Sequence, residues 1–81
     1  MIYLNGKWMP IEEACIPVLD RGFIFGDGVY EVIPAYSRKP FRLNRHLNRL
    51  QHSLDGIRLK NPFSNAEWKQ LLEQIIAGNE G

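Results

Sequence analysis

Two stretches of this sequence hold the side chains whose types and spacing could do chemistry. The first is Leu19-Asp20-Arg21-Gly22-Phe23-Ile24-Phe25-Gly26-Asp27-Gly28-Val29-Tyr30-Glu31-Val32-Ile33. It opens with an acid–base pair, bends through glycines, and ends in a β-branched and aromatic run with Tyr30 at its mouth. The second, Arg45-His46-Leu47-Asn48-Arg49-Leu50-Gln51-His52-Ser53, spaces His46, Arg49 and Ser53 at helical steps, which puts them on one stripe. A phenol, an imidazole and a guanidinium are hydrogen-bonding groups that can hold a ligand. No nucleophile of comparable promise accompanies them, because Cys15 has no basic partner beside it and reads as a small packed thiol. His46 and His52 are six residues apart, on different sides of a helix, and do not form a metal pair.

Each stretch depends on the element that presents it. Gly26 and Gly28 flank Asp27 and let the backbone turn where a side chain would forbid it. In the run that follows, alternation sends Val29, Glu31 and Ile33 one way and Tyr30, Val32 and Pro34 the other. Taken alone, this is a turn entering a strand with a half-buried tyrosine, and the histidine–arginine stripe is a solvated helix face. Asp20, Arg21 and Asp27 read as loop-shaping residues.

In chain order, Ile2-Tyr3-Leu4 and Lys7-Trp8-Met9 flank Asn5-Gly6, the dipeptide of a two-residue hairpin turn. Pro10 stops the pairing, Ile11–Ala14 is a turn or one helical turn, and Cys15–Leu19 with Pro17 suits an extended edge. Val29–Tyr36 is the longest predicted strand, with Pro34 marking an edge or bulge. Ser37–Pro40 is a predicted turn, and Phe41-Arg42-Leu43 the returning strand of a second hairpin. Asn44 is the expected N-cap of a helix whose apolar face is Leu47, Leu50, Leu54 and Ile57, with Gly56 near its end. Ser64-Asn65-Ala66-Glu67 spells a capping box for a second helix with Trp68, Leu71, Leu72, Ile75 and Ile76 on its stripe and a stop at Gly78-Asn79. Two hairpins followed by two amphipathic helices predict an α+β fold, a mostly antiparallel sheet covered on one face by the helices.

With 81 residues, 44% of them hydrophobic, the chain is one small domain at most. Such a chain buries only ~60–65% of its unfolded surface, so its core is marginal. Ten Lys and Arg against nine Asp and Glu argue against a broad nucleic-acid surface. One cysteine permits no internal disulfide, and no apolar run is long enough to span a bilayer, which makes a cytoplasmic protein the expectation.

Asp-Arg-Gly-Phe-x-Phe-Gly-Asp-Gly-Val-Tyr-Glu-Val, residues 20–32, resembles the N-terminal signature of the class IV aminotransferases, the fold-type IV pyridoxal-phosphate enzymes. The His-Leu-x-Arg-Leu and following Ser of residues 46–53 are similar to that family's next landmark, in the right order. The resemblance covers nearly the whole chain and implies a truncated N-terminal (small) domain over residues 1–81, with further sheet strands expected after the second helix. It implies pyridoxal 5'-phosphate as cofactor, with Arg49 on the cofactor phosphate, Tyr30 on the substrate carboxylate and Val32 lining the pocket. It also implies a homodimeric transaminase with amino-acid and 2-oxo-acid substrates.

The imine lysine of the family belongs beyond Gly81. Lys7, Lys39, Lys60 and Lys69 sit in a hairpin, a turn, a loop and a helix start, none of them the desolvated setting that imine chemistry needs. These 81 residues are therefore expected to be inactive alone, and an unpaired sheet edge should make them associate. Val-Tyr-Glu-Val looks like the D-amino-acid branch with D-alanine-type substrates, since Pro34 stands where branched-chain members carry a basic residue. The runner-up of the same fold is a 4-amino-4-deoxychorismate lyase. A reading from another class is a small phosphate- or nucleic-acid-binding module built on Arg38, Lys39, Arg42, Arg45 and Arg49.

Overall fold

The computed structural model describes residues 1–79. Strands β1 (Ile2–Leu4) and β2 (Lys7–Met9) pair antiparallel in the register Ile2 to Met9, Tyr3 to Trp8 and Leu4 to Lys7. Asn5 and Gly6 both have positive φ, 50° and 83°, the geometry a two-residue turn of matching twist demands. Tyr3 and Trp8 then meet edge to face at 5.1 Å. A single 3-10 turn, Ile11–Glu13, follows Pro10.

The glycine-rich bend is partly helical. Arg21–Phe25 form a short helix, α1, whose N-cap is Asp20 and whose last turn closes on Gly26 in the left-handed region. The signal lay in the residue types at both ends, an aspartate cap before and a glycine after.

The long predicted strand over Val29–Tyr36 is not formed as such. Only Ala35–Tyr36 (β3) pairs, with Lys39–Pro40 (β4), across a turn in which Ser37 and Arg38 both have positive φ. Pro34 and Pro40 lack the N–H that would extend the ladder, which gains one further bond, from Phe41 N to the Pro34 carbonyl at 2.8 Å. The turn is thus the two residues Ser37-Arg38, and the predicted return strand Phe41–Leu43 is replaced by a helix entry. Arg42, at φ 53° and ψ 44°, swings the chain into α2 (Leu43–Gly56), and its carbonyl accepts from Arg45 and His46. Asn44 therefore lies inside α2 and is not its N-cap. The two hairpins stay separate, so the fold is α+β with two small antiparallel sheets in place of one.

Helix α2 ends in a Schellman motif. Arg58 is left-handed at φ 58°, Leu59 N donates to the Leu54 carbonyl and Arg58 N to the Asp55 carbonyl. Helix α3 (Asn65–Ala77) starts on the expected capping box, Ser64 Oγ accepting from Glu67 N at 3.2 Å and Glu67 Oε1 from Ser64 N at 3.0 Å. Trp68 donates from Nε1 to Asn61 at 2.8 Å and stands edge-on to Phe63 at 4.9 Å.

α2 packs against α3, and α3 against β4. The chain measures 38 × 31 × 17 Å, and 17 Å is under two helix diameters, too thin to enclose a deep core. Leu47 at 2% exposure and Leu54 at 7% are accordingly the buried apolar residues. The stripe of α3 is half-buried. Ile57, expected on the α2 core face, lies past the helix end and is exposed. Cys15 is also exposed and not packed, because the segment around it runs outside any regular element.

The hydrogen bonds from Ser64 hold the Glu67 carboxyl below its ordinary value of 4.5. A carboxyl whose folded pKa is depressed contributes stability that is present above its unfolded pKa and lost as pH falls through the folded value. Helix α3 should therefore lose its Glu67 contribution only in acid below about pH 4.5, and Ser64→Ala should cost ~1 kcal/mol at pH 7. Thermal melts followed by helical circular dichroism at pH 7 and pH 3 check both, and the difference between Glu67→Gln and the parent should be smaller at pH 3.

Candidate functional site

The two chemistry-bearing stretches are positioned by different devices. The first is locked at its bend. Asp20 Oδ2 accepts from Gly22 N at 2.9 Å, and Arg21 reaches across the turn to Asp27 Oδ2, from Nε at 2.8 Å and Nη2 at 2.7 Å. The same guanidinium lies 5.0 Å over the Phe25 ring. Asp20, Arg21 and Asp27 are thus tied to one another, in keeping with their reading as loop-shaping residues.

Past the bend, residues 29–33 have no cross-strand partner among the described residues, yet they alternate as a strand does. Val29, Glu31 and Ile33 are half-buried, whereas Tyr30 is 85% exposed and Val32 is exposed with it. The inward file puts a carboxylate against α2, where it finds two partners. Glu31 Oε1 lies 2.8 Å from His46 Nδ1, and Oε2 lies 3.6 Å from Arg49 Nε. The Glu31 side chain is only 11% exposed, so it needs this pairing, since a carboxylate removed from water is costly unless bonded. Arg49, by contrast, is 69% exposed and keeps its terminal nitrogens clear of any hydrogen bond among the described residues.

His46 and Arg49 share a cleft of about 290 Å³ with Arg42 and Arg45, one and two helical turns apart on the first half of α2. Three guanidiniums against the single Glu31 carboxylate give this cleft a surplus of positive charge, a setting that favours an anion. A wider cleft of about 740 Å³ lies alongside, between Lys39, Arg42, Arg45, Lys69 and Glu73. Arg38 does not join this group. Its Nη2 donates to the carbonyls of Ile76 and Asn79 at 2.6 and 3.0 Å, closing the C-terminal end of α3.

The structure therefore brings Arg49 together with His46 and with Glu31, an acid to which the sequence reading assigned no role. Its signal was present in the alternation, which set a carboxylate in an apolar inward file where a partner was required. Tyr30 and Val32 point the other way, and no hydrogen bond or ion pair among the described residues links Tyr30 to Arg49. Ser53 is half-buried on α2 and forms no side-chain hydrogen bond among the described residues. Lys7, Lys39, Lys60 and Lys69 are all exposed.

Residues 28–81 match the family model for amino-transferase class IV. The chain belongs to the class IV aminotransferases. It is 41% identical over 78 residues to a D-alanine aminotransferase of Listeria monocytogenes, an alignment that takes in 96% of this chain and 27% of that protein. A D-alanine aminotransferase of Bacillus licheniformis is 39% identical over 79 residues, 98% of this chain and 28% of the relative. An aminodeoxychorismate lyase of Bacillus subtilis is 32% identical over 80 residues, 99% of this chain and 27% of the relative. The chain spans about a quarter of the length of the curated relatives it matches. In this class IV aminotransferase segment the matched span begins at Gly28 and contains Tyr30, Glu31, Val32, His46 and Arg49, while α1 lies before it.

The two glycines of the bend have different jobs, and substitution should separate them. Gly26 has φ 68°, so Gly26→Ala should cost ~1–2 kcal/mol in unfolding free energy. Gly28 has ordinary φ and open space around it, so Gly28→Ala should change stability by less than ~0.5 kcal/mol. Urea midpoints of the two variants measure this, and equal losses would contradict the assignment of the left-handed turn to Gly26 alone.

Proposed function

We propose that the full-length protein is a pyridoxal-phosphate-dependent transaminase that moves the amino group of a D-amino acid, of the D-alanine type, to a 2-oxo acid. The observation that carries this reading is the cationic cleft on α2, in which Arg49 keeps its terminal N–H groups available beside Arg42 and Arg45. A phosphate dianion fits that surplus of charge, and a planar guanidinium can bind two of its oxygens at once. In this reading Arg49 holds the phosphate. Tyr30, at the exposed mouth of the 29–33 segment, offers its phenol to the substrate carboxylate, and Val32 gives the same side an apolar wall. When bound, pyridoxal phosphate supplies an electron-withdrawing ring that stabilises charge at the carbon bearing the amino group. The lysine that carries the cofactor lies elsewhere in the full-length protein, because the four lysines here are solvated. These 81 residues alone are inactive in this reading.

The names of the Listeria and Bacillus licheniformis relatives support the D-alanine branch. A second reading, an aminodeoxychorismate lyase, is favoured by the Bacillus subtilis relative, which aligns over nearly the same residues. The nucleic-acid alternative has less behind it, since Arg38, one of the five basic residues it needs, is engaged with α3. No helix among the described residues is long and apolar enough to cross a membrane. The same reading takes the full-length protein as a cytoplasmic homodimer, whose remaining residues and partner copy cover the exposed Val18, Leu19, Phe23 and Phe25.

The visible spectrum of the full-length protein with pyridoxal phosphate decides among these readings. D-alanine should bleach the bound-cofactor band, and L-valine should not. A band that ignores both amino acids while 4-amino-4-deoxychorismate is consumed would assign the lyase. The absence of any band would remove the cofactor from the proposal.

A further inference from the structure

We infer that Glu31 is a positioning residue for the anion-binding arginine, an ion-pair partner 3.6 Å from Arg49 Nε that leaves both terminal nitrogens of the guanidinium for the phosphate. The inference rests on the reading of Arg49 as the phosphate ligand given above.

Three observations lead to it. Glu31 is a fixed anchor, because it is nearly buried and its other oxygen is held by His46 at 2.8 Å. Arg49 is the exposed partner, a long side chain 69% open to solvent on the surface of α2. Capturing an anion with such a side chain costs rotamer freedom, and a carboxylate that attracts one edge of the guanidinium removes part of that cost beforehand. The edge taken also matters. A guanidinium has five N–H donors in a planar fork, so a carboxylate paired on its Nε side leaves the terminal pair of nitrogens able to meet two phosphate oxygens.

Glu31 is itself an anion and would repel a phosphate were it unpaired. It is shared between an imidazole and a guanidinium, however, and Arg42 and Arg45 line the same cleft. The competing account is purely structural. Residues 29–33 have no cross-strand partner among the described residues, and Glu31 would then serve only to pin that segment to α2. The two accounts differ in what a ligand without a phosphate should feel.

The test titrates the full-length apoprotein with pyridoxal phosphate and, separately, with pyridoxal, which differs by the phosphate alone. Dissociation constants are read from absorbance for the parent, Glu31→Gln, Arg49→Ala and the double variant. Glu31→Gln should weaken pyridoxal phosphate about 3–30-fold and leave pyridoxal unchanged. The double variant should bind pyridoxal phosphate no more weakly than Arg49→Ala alone, because Glu31 acts through that arginine.

Equal losses for the two ligands would make Glu31 a structural pin and overturn the inference. So would unchanged or tighter binding of pyridoxal phosphate, or losses that add in the double variant. If Arg49→Ala itself leaves the preference for the phosphorylated ligand intact, the reading of Arg49 fails and the inference with it. A loss at Arg49→Ala with none at Glu31→Gln sinks the inference alone. Should Glu31→Gln not fold, Glu31→Asp keeps the charge and withdraws it by one methylene, and it should show the same selective loss for the phosphorylated ligand.

Discussion

The carboxylate of Glu31 is the contact through which the two chemistry-bearing stretches meet. Residues 29–33 arrive from a glycine bend with no neighbouring strand to bond, and the extended backbone alone gives them no fixed place. One side chain from that segment reaches α2 and takes His46 and Arg49 together. Alternation then determines the rest. With Glu31 turned inward, Tyr30 and Val32 face outward, so the burial of one acid sets the outlook of its two neighbours. The pairing is obligatory because a carboxylate this far removed from water has no inexpensive unpaired state.

A second set of contacts keeps α2 and α3 in register with the hairpins despite the thin core. Arg38 sits in a left-handed turn position that glycine or asparagine would occupy more easily. From there its guanidinium reaches the last carbonyls of α3, and Asn79 binds both the Ile75 carbonyl and the Met1 carbonyl, while its own Oδ1 accepts from the Met1 amino group. The first strand, the second hairpin and the end of α3 are thus joined by polar side chains at the surface. Among the described residues Leu47 and Leu54 are the buried apolar ones, and these bonds add polar links between elements that the thin core joins only in part.

The charges on this part of α2 are not balanced as they would be on an ordinary solvated helix face. On a helix surface exposed arginines usually meet acids at helical spacing and cancel. Here Arg42, Arg45 and Arg49 follow one another from the N-cap of α2 onward, and the acid paired with Arg49 comes from another segment. The surplus positive charge is what a phosphate group would neutralise, and it lies within the span that marks the chain as a class IV aminotransferase.

Local chemistry was legible in the sequence at several places where one or two residues decide the outcome. Asn5-Gly6 made its turn, Ser64 and Glu67 made their box, and the apolar stripes of α2, apart from Ile57, and of α3 formed the helix faces their spacing dictated. The family was legible too, since residues 20–32 and 46–53 carry it in side-chain identity alone. What pairing and long-range contact decide was not legible. A strand needs a partner, so Val29–Tyr36 shrank to Ala35–Tyr36 where two prolines cut the ladder short, and a left-handed Arg42 started α2 ahead of the expected Asn44 cap. The partner of Glu31 lies fifteen residues away on another element, and only the tertiary fold could show that the acid in the motif and the arginine of the next landmark touch.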